Sequence, residues 1–203
     1  DGTLILGASG GTQTYNGGLT TTSVVGTVTL NGTIATSNDA VVLGAVTLGS
    51  ATTVDTNASS DAADITVAAI TGGSNTLTLT TENNVTGSDV TASGNISGVT
   101  TLTLADVGGT ATLSGDVDVT TLTVGNTVAN VAFTGNGSSV ASAVSFANDG
   151  TLILGASGGT QTYNGGLTTT SVGSTVTLNG SIVTSNDAVV LGAVTLGSAT
   201  TID

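Results

Sequence analysis

Residues 101–115 read Thr101-Leu102-Thr103-Leu104-Ala105-Asp106-Val107-Gly108-Gly109-Thr110-Ala111-Thr112-Leu113-Ser114-Gly115. In the related tetrad Thr76-Leu77-Thr78-Leu79, alternation puts Leu77 and Leu79 on one side of an extended chain and Thr76 and Thr78 on the other. That is a strand with one dry face and one wet face. Gly108-Gly109 reaches positive φ cheaply and turns the chain before the alternation resumes. The same punctuation stands at Gly10-Gly11, Asn16-Gly17-Gly18, Asn31-Gly32, Gly72-Gly73 and Asn136-Gly137. Strand, corner, strand is the local rule.

Working outward, like tetrads recur at Thr3-Leu4-Ile5-Leu6, Thr27-Val28-Thr29-Leu30, Thr52-Thr53-Val54-Asp55, Thr151-Leu152-Ile153-Leu154 and Thr175-Val176-Thr177-Leu178. One aligned position, Leu4, Val28, Thr53, Leu77, Leu102, Val128 and Leu152, advances in steps of 24, 25, 24, 25, 26 and 24. A second ladder runs through Val46, Ile70, Ile96, Leu122 and Phe146, and a third through Leu19, Leu43, Val67, Val90, Val117 and Val140. Three apolar ladders sharing one period imply three strands per turn of a coil.

A longer period contains this one. Residues 149–203 repeat residues 1–55 with 50 of 55 positions identical, the exceptions being Val25/Gly173, Gly26/Ser174, Thr33/Ser181, Ala35/Val183 and Val54/Ile202. A fixed long period is the signature of a stacked architecture. Residues 1–203 therefore read as one continuous solenoid, residues 1–148 as a six-turn unit and residues 149–203 as the start of the next. The expectation is an all-β, three-sided parallel β-helix of 24–25 residues per turn and about eight turns, right-handed by the general bias of parallel crossovers. Because like residues recur in the same direction, stacked turns pair in parallel. The absence of Pro suits a ladder that uses every donor. Neither end carries an atypical polar cap, so the chain is expected to be a window on a longer array, with a segment like Thr56-Asn57-Ala58-Ser59 following Asp203.

Composition agrees. Of 203 residues 31 are Gly, and there are only two Tyr and two Phe, so the core must be thin and built from Val, Leu, Ile and Ala. Hydrophobic residues make up 38% and mean hydropathy is positive, unlike a disordered chain. No apolar run approaches the roughly 18 residues of a spanning helix. Helix formers are scarce, and residues 138–147, the stretch closest to a helix, read as strand.

Absent chemistry narrows function further. The chain has no Cys, His, Lys or Arg and 13 carboxylates, a net charge of −13. Disulfides, thiolate metal sites and the commonest general base are excluded, as is binding to nucleic-acid phosphates. Gly7-Ala8-Ser9-Gly10-Gly11 matches a nucleophile-elbow pattern, but with no His in the chain its serine lacks an ordinary base. It also follows a strand as a dinucleotide-binding turn would, but the helix that motif requires is missing from Thr12-Gln13-Thr14-Tyr15-Asn16. A glycine corner is the reading of both. No enzyme activity is expected.

Three polar patterns stand out. Asp39, Asp64, Asp89 and Asp116 step by 25, 25 and 27, which would bring them near one edge of successive turns. Neighbouring carboxylates about 5 Å apart repel by roughly 1 kcal/mol in water, so the edge is either a solvated, salt-screened corner or a place where Asp and Asn oxygens hold Ca²⁺. No other cofactor is indicated. Outward pairs such as Thr27 and Thr29, Thr76 and Thr78, Thr101 and Thr103 resemble the arrays of ice-binding solenoids, though Thr is also what a wet β surface favours. Sequons at Asn31, Asn57, Asn84, Asn95, Asn136 and Asn179 could carry glycans.

The run at residues 101–115 and its looser echoes resemble the long, repetitive β-solenoids of bacterial surface proteins: autotransporter passengers, filamentous-haemagglutinin-like exoproteins and giant repeat adhesins. The resemblance implies secretion, extracellular display and a rod, fibre or surface-filament role, and it transfers no functional residue. The expected partners are further repeats of the same chain, or identical chains end to end or side by side, with glycans on Asn or Thr. An adhesin whose acidic corner holds Ca²⁺ is the alternative role.

Overall fold

The computed structural model describes residues 2–60, 63–82 and 85–203, and those residues contain strands, bends and turns but no helix. Every strand pairing is parallel, and the paired strands stack as a β-solenoid of about nine turns. The expected all-β parallel solenoid is the one observed, down to residues 138–147, which supply the strands Ser139–Val140 and Val144–Ser145.

Three lines of pairing run through the stack. On the first, Leu4 pairs with Val28, Val28 with Val46, Val46 with Ile70, Ile70 with Ile96 and Ile96 with Val117. It continues from Asp118 to Ser139, Thr162 and Val183, and from Ile182 to Ile202. The second carries Gln13, Ile34, Val54, Leu79, Leu104 and Val124. A hydrogen bond from Ser142 N–H to the Thr120 carbonyl leads onward to Val144, Leu167 and Val189. The third joins Leu19, Val41, Ile65, Val90, Ala111, Val131, Leu152, Val176 and Val194.

The expected even pitch is corrected here. Along the first line the steps are 24, 18, 24, 26, 21, 21, 23, 21 and 20 residues, giving nine turns rather than eight. Corners set the difference. The 15-residue strand Val41–Asp55 serves all three lines, bending at Gly44 and at Gly49-Ser50 without leaving extended geometry. The 18-residue step from Val28 to Val46 spends little chain on corners, and in the 26-residue step from Ile70 to Ile96 more residues separate the strands, from Thr71 to Leu77 and from Glu82 to Val90. At Gly32 the register slips by a bulge. Its φ of +63° and the approach of the Ala8 and Gly11 carbonyl oxygens, 2.3 and 2.4 Å from where a Cβ would stand, leave room for glycine alone.

Unequal steps also change what the long repeat means. Leu4 lies on the first line, but its duplicate Leu152 lies on the third, where Leu152, Val176 and Val194 repeat the pairing of Leu4, Val28 and Val46. The 148-residue unit thus contains six turns and two further strand passes, not six turns, and the second copy is set onto a different line from the first. This is also why the expected ladder failed after Val28: Thr53 lies on the second line and Val128 outside all three.

Inward residues form one thin continuous core, including Val28, Leu30, Ile34, Leu77, Leu79, Leu102, Leu104, Phe133 and Phe146. Tyr163 joins it by packing edge-on against Phe133, with ring centres 6.4 Å apart. Its hydroxyl donates to Gln161 Oε1 at 2.9 Å while Gln161 Nε2 donates to the Phe133 carbonyl at 2.8 Å, so this polar pair is satisfied inside the stack.

Candidate functional site

The chemistry-bearing side chains sit at the corners, where strands end and backbone groups would otherwise lose partners. Before three of the third-line strands an Asx side chain faces the next turn. Asp64 Oδ1 accepts the Asp89 N–H at 2.9 Å, Asp89 Oδ1 accepts the Thr110 N–H at 2.7 Å and Asn130 Oδ1 accepts the Thr151 N–H at 2.9 Å. Before the first line the same device recurs: Asn95 Oδ1 accepts the Asp116 N–H at 3.0 Å, and Asp116 Oδ1 the Gly137 N–H at 2.7 Å. Each bond ties one turn to its successor and supplies an acceptor that water would otherwise provide.

The four aspartates expected along one edge are therefore divided. Asp64 and Asp89 occupy adjacent turns of one corner, Asp116 belongs to another corner, and Asp39 precedes Ala40, whose carbonyl takes the position that Asp64 holds one turn later. The step from Asp89 to Asp116 runs from the third line to the first one turn further on, so its 27 residues cover one turn and one further strand pass. Among the described residues no group of three or more His, Cys, Asp or Glu is arranged to hold a metal ion.

A different set of carboxylates comes together where the second line ends. Asp55 pairs with Thr80, and Glu82 with Val107 next to Asp106, so Asp55, Glu82 and Asp106 lie on successive turns. Asn57, Glu82 and Asp106 all have positive φ, at 47°, 59° and 47°. Beneath them, buried threonines tie the ends of second-line strands to carbonyls that come shortly before the third-line strands. Thr36 Oγ1 donates to the Asp39 carbonyl, Thr56 Oγ1 to that of Ala63 at 2.8 Å and Thr81 Oγ1 to that of Ser88 at 3.2 Å. An open depression of about 630 Å³ borders this corner, lined by residues including Thr14, Asn38, Asn57, Ser59 and Glu82.

Electrostatics follow from the crowding. Burial pushes the Asp55 carboxyl up, the Asn57 N–H at 2.8 Å pulls it partly back, and the Asp106 charge adds to the rise. Glu82 is raised by burial first and then by Asp55 and Asp106. With no cation in the sequence, only a proton or an external cation can relieve this corner.

The threonine pattern is more continuous than the sequence suggested. Thr12, Thr33, Thr53, Thr78, Thr103 and Thr123 stand in register over six consecutive turns of the second line, with Thr101 and Thr121 paired beside them. Of the sequons, Asn136 is exposed, Asn57 Nδ2 is engaged with the Thr36 carbonyl at 2.9 Å, Asn95 caps Asp116, and Asn84 lies outside the described residues. Gly7-Ala8-Ser9-Gly10-Gly11 is a corner closed by the Gly11 N–H on the Ala8 carbonyl at 2.8 Å, as read from the sequence. No helix among the described residues is long and apolar enough to cross a membrane.

Compared with known proteins, the chain matches no family model, no curated protein and no solved structure.

Proposed function

We propose that the chain is a structural segment of a long secreted rod, fibre or cell-surface filament built from tandem 148-residue repeats, without enzyme activity. The observation that carries this reading is the parallel pairing along three lines, in which a duplicated segment is accepted into the stack at a new position on the third line. A fold that adds turns without a change of design suits length, and a surface carrying 13 negative charges and no positive ones keeps rods dispersed. Extracellular display, partner repeats and glycans belong to the same reading. Immunogold electron microscopy of intact source cells, with antibodies raised against this chain, tests it. Label strung along extended surface fibres is the expected result, and label confined to the cell interior would refute it.

A second reading, an adhesin or surface-binding module stiffened by Ca²⁺, draws support from the Asp55, Glu82 and Asp106 corner, where like charges meet without a counter-charge. It requires a melting temperature that rises with added Ca²⁺ and falls with chelator; an unchanged transition removes it.

A further inference from the structure

The second line is interrupted in the middle of the stack. Below the gap Thr121–Val124 pairs residue for residue with Thr101–Leu104, and above it Val144-Ser145 pairs with Leu167-Thr168. Among the described residues no strand pairing joins Val117–Val124 to Val144–Ser145, and the latter forms a separate three-stranded sheet with Leu167–Thr168 and Val189–Val190. At the same level the first line carries on from Asp118-Val119 to Ser139-Val140, and the third from Val131–Phe133 to Leu152–Leu154. The gap has a cause in register. The Thr121 hydroxyl donates to Ser142 Oγ at 3.3 Å, and that spacing of 21 residues, continued, would set Val144 over Thr123. Val144 is buried and Thr123 exposed, so the upper pass slips to bring Val144 and Phe146 to the core side, and the ladder is lost where it slips. A bulge at Asp118/Val119 and an open depression of about 390 Å³, bordered by residues including Val119, Thr120 and Ser139, lie on the approach to it. At the far end of the same pass Asn148 is fully buried, with Nδ2 donating to the carbonyls of Thr151 at 2.9 Å and Ala129 at 3.4 Å. Its Oδ1 is, among the described residues, the one buried side-chain oxygen or nitrogen without a partner.

We propose that this level is a hinge: the stack stays joined along the first and third lines and opens on its second-line face, between residues 120–124 and 142–147. Two paired lines make the axis and the unpaired one makes the mouth. As the mouth opens, the Ser142 N–H leaves the Thr120 carbonyl, 2.8 Å away when closed, and the contact between Thr121 and Ser142 parts. On the closed side the Gly150 N–H keeps the Ala129 carbonyl at 2.6 Å, and the Gly155 N–H keeps that of Phe133 at 2.9 Å. Asn148 Oδ1 loosens the closed form further, since a buried acceptor without a donor is worse off than one in water. Burial of Leu122, Val124, Val144 and Phe146 opposes the motion and draws the mouth shut again. Each 148-residue unit carries one such place, so a rod of several units bends at regular intervals before any turn is pulled away. As the bending point of a rod the hinge rests on the rod reading; as an opening within the chain it does not.

Residue-resolved hydrogen exchange on the 203-residue chain tests this. The Ser142 amide is compared with that of Gly125, which donates to the Leu104 carbonyl on the same line one turn below. Corrected for intrinsic rates, Ser142 is expected to exchange about tenfold faster or more, the worth of one or two main-chain hydrogen bonds. Gly150 and Gly155 on the closed side, and Val144 and Phe146, bonded upward to Gly166 and Thr168, are expected to stay slow. Equal protection of Ser142 and Gly125 overturns the hinge. So does fast exchange shared by Ser142, Gly155, Val144 and Phe146, the mark of whole turns peeling away. The double variant Thr121→Cys, Ser142→Cys gives a second check, because the sequence has no other Cys and the two hydroxyls already meet. Oxidation is expected to slow exchange at position 142 to the rate of Gly125, and reduction to restore it; the same rate in both forms overturns the mouth. Antibody label confined to the cell interior would remove the rod and leave the hinge standing, whereas a flat exchange profile would remove the hinge and leave the rod.

Discussion

The duplication supplies an internal control for the packing: the same leucine in the same local sequence, once inside the stack and once on its last turn. Leu48 sits above Leu30 with its carbonyl held by Asn75 Nδ2 at 2.9 Å, and it is almost fully buried. Truncating a buried leucine costs about 2–5 kcal/mol, depending on how far the site can collapse. Here collapse is limited, because backbone ladders on both sides hold the walls of a thin core apart. Leu48→Ala should therefore cost about 3 kcal/mol, which for a chain of this length lowers the melting temperature by roughly 6–12 °C. Leu196→Ala removes the same atoms from a side chain that is 60% exposed, and should cost less than about 0.5 kcal/mol. Thermal melts of dilute protein read both, and hydrogen exchange shows where the loss falls, since neighbouring turns of a solenoid can open separately. Equal shifts for the two variants would refute the placement of the turns.

Two further outcomes follow from the corners. Asp55 and Glu82 are raised above the ordinary carboxylate range in the folded chain, so the fold binds their protons more tightly than the unfolded chain does. Their contribution is fully present below the unfolded value and lost as pH rises through the folded one. The Asp55→Asn, Glu82→Gln double variant should thus be more stable than wild type at pH 7, and its advantage should vanish on acidification toward pH ~4. Thermal melts across that range check this, and an advantage that persists or grows in acid would contradict it. Backbone approach predicts the second outcome. Gly155 and Gly158 have similar φ, +79° and +77°, but a Cβ on Gly155 would stand 2.1 Å from the Asn179 carbonyl oxygen, while one on Gly158 meets open space. Gly158→Ala should cost about 1 kcal/mol and Gly155→Ala about 3 kcal/mol or more in urea denaturation; similar costs would show that conformation alone matters there.

Much of this architecture was legible from residue order, because alternation and glycine corners are local. The ladder through Val46, Ile70 and Ile96 was identified correctly for that reason, but it continues to Val117 and not to Leu122 and Phe146 as read, since Leu122 pairs with Leu102. Chain distance, however, is a poor ruler when corners vary. Tetrads of the Thr-Leu-Thr-Leu kind occur on more than one line, so Val28 and Thr53 looked like one column although Val28 pairs with Val46. The polar corners carry their own spacing of 21 residues, visible in Asp89 with Thr110, Asn95 with Asp116, Asp116 with Gly137 and Asn130 with Thr151. Reading aspartates alone hid it, because the partner is a backbone N–H that any residue can offer. The Asp55, Glu82 and Asp106 corner had no comparable signal. Positive φ at Glu82 and Asp106 is not written in their residue types, and only the fold brings these three carboxylates together.

The misfit between the long repeat and the turn has an outcome for any rod that contains several copies. Six turns and two strand passes per unit move each copy on by one line out of three, so a fourth copy would be the first to stand where the first one did, twenty turns later. Whatever a neighbour recognises in one copy, whether the threonine row or the acidic corner, would wind around the shaft like stairs with three landings to each circuit. Such a shaft has no preferred side, and adjoining shafts could bundle in every direction instead of settling into flat ribbons.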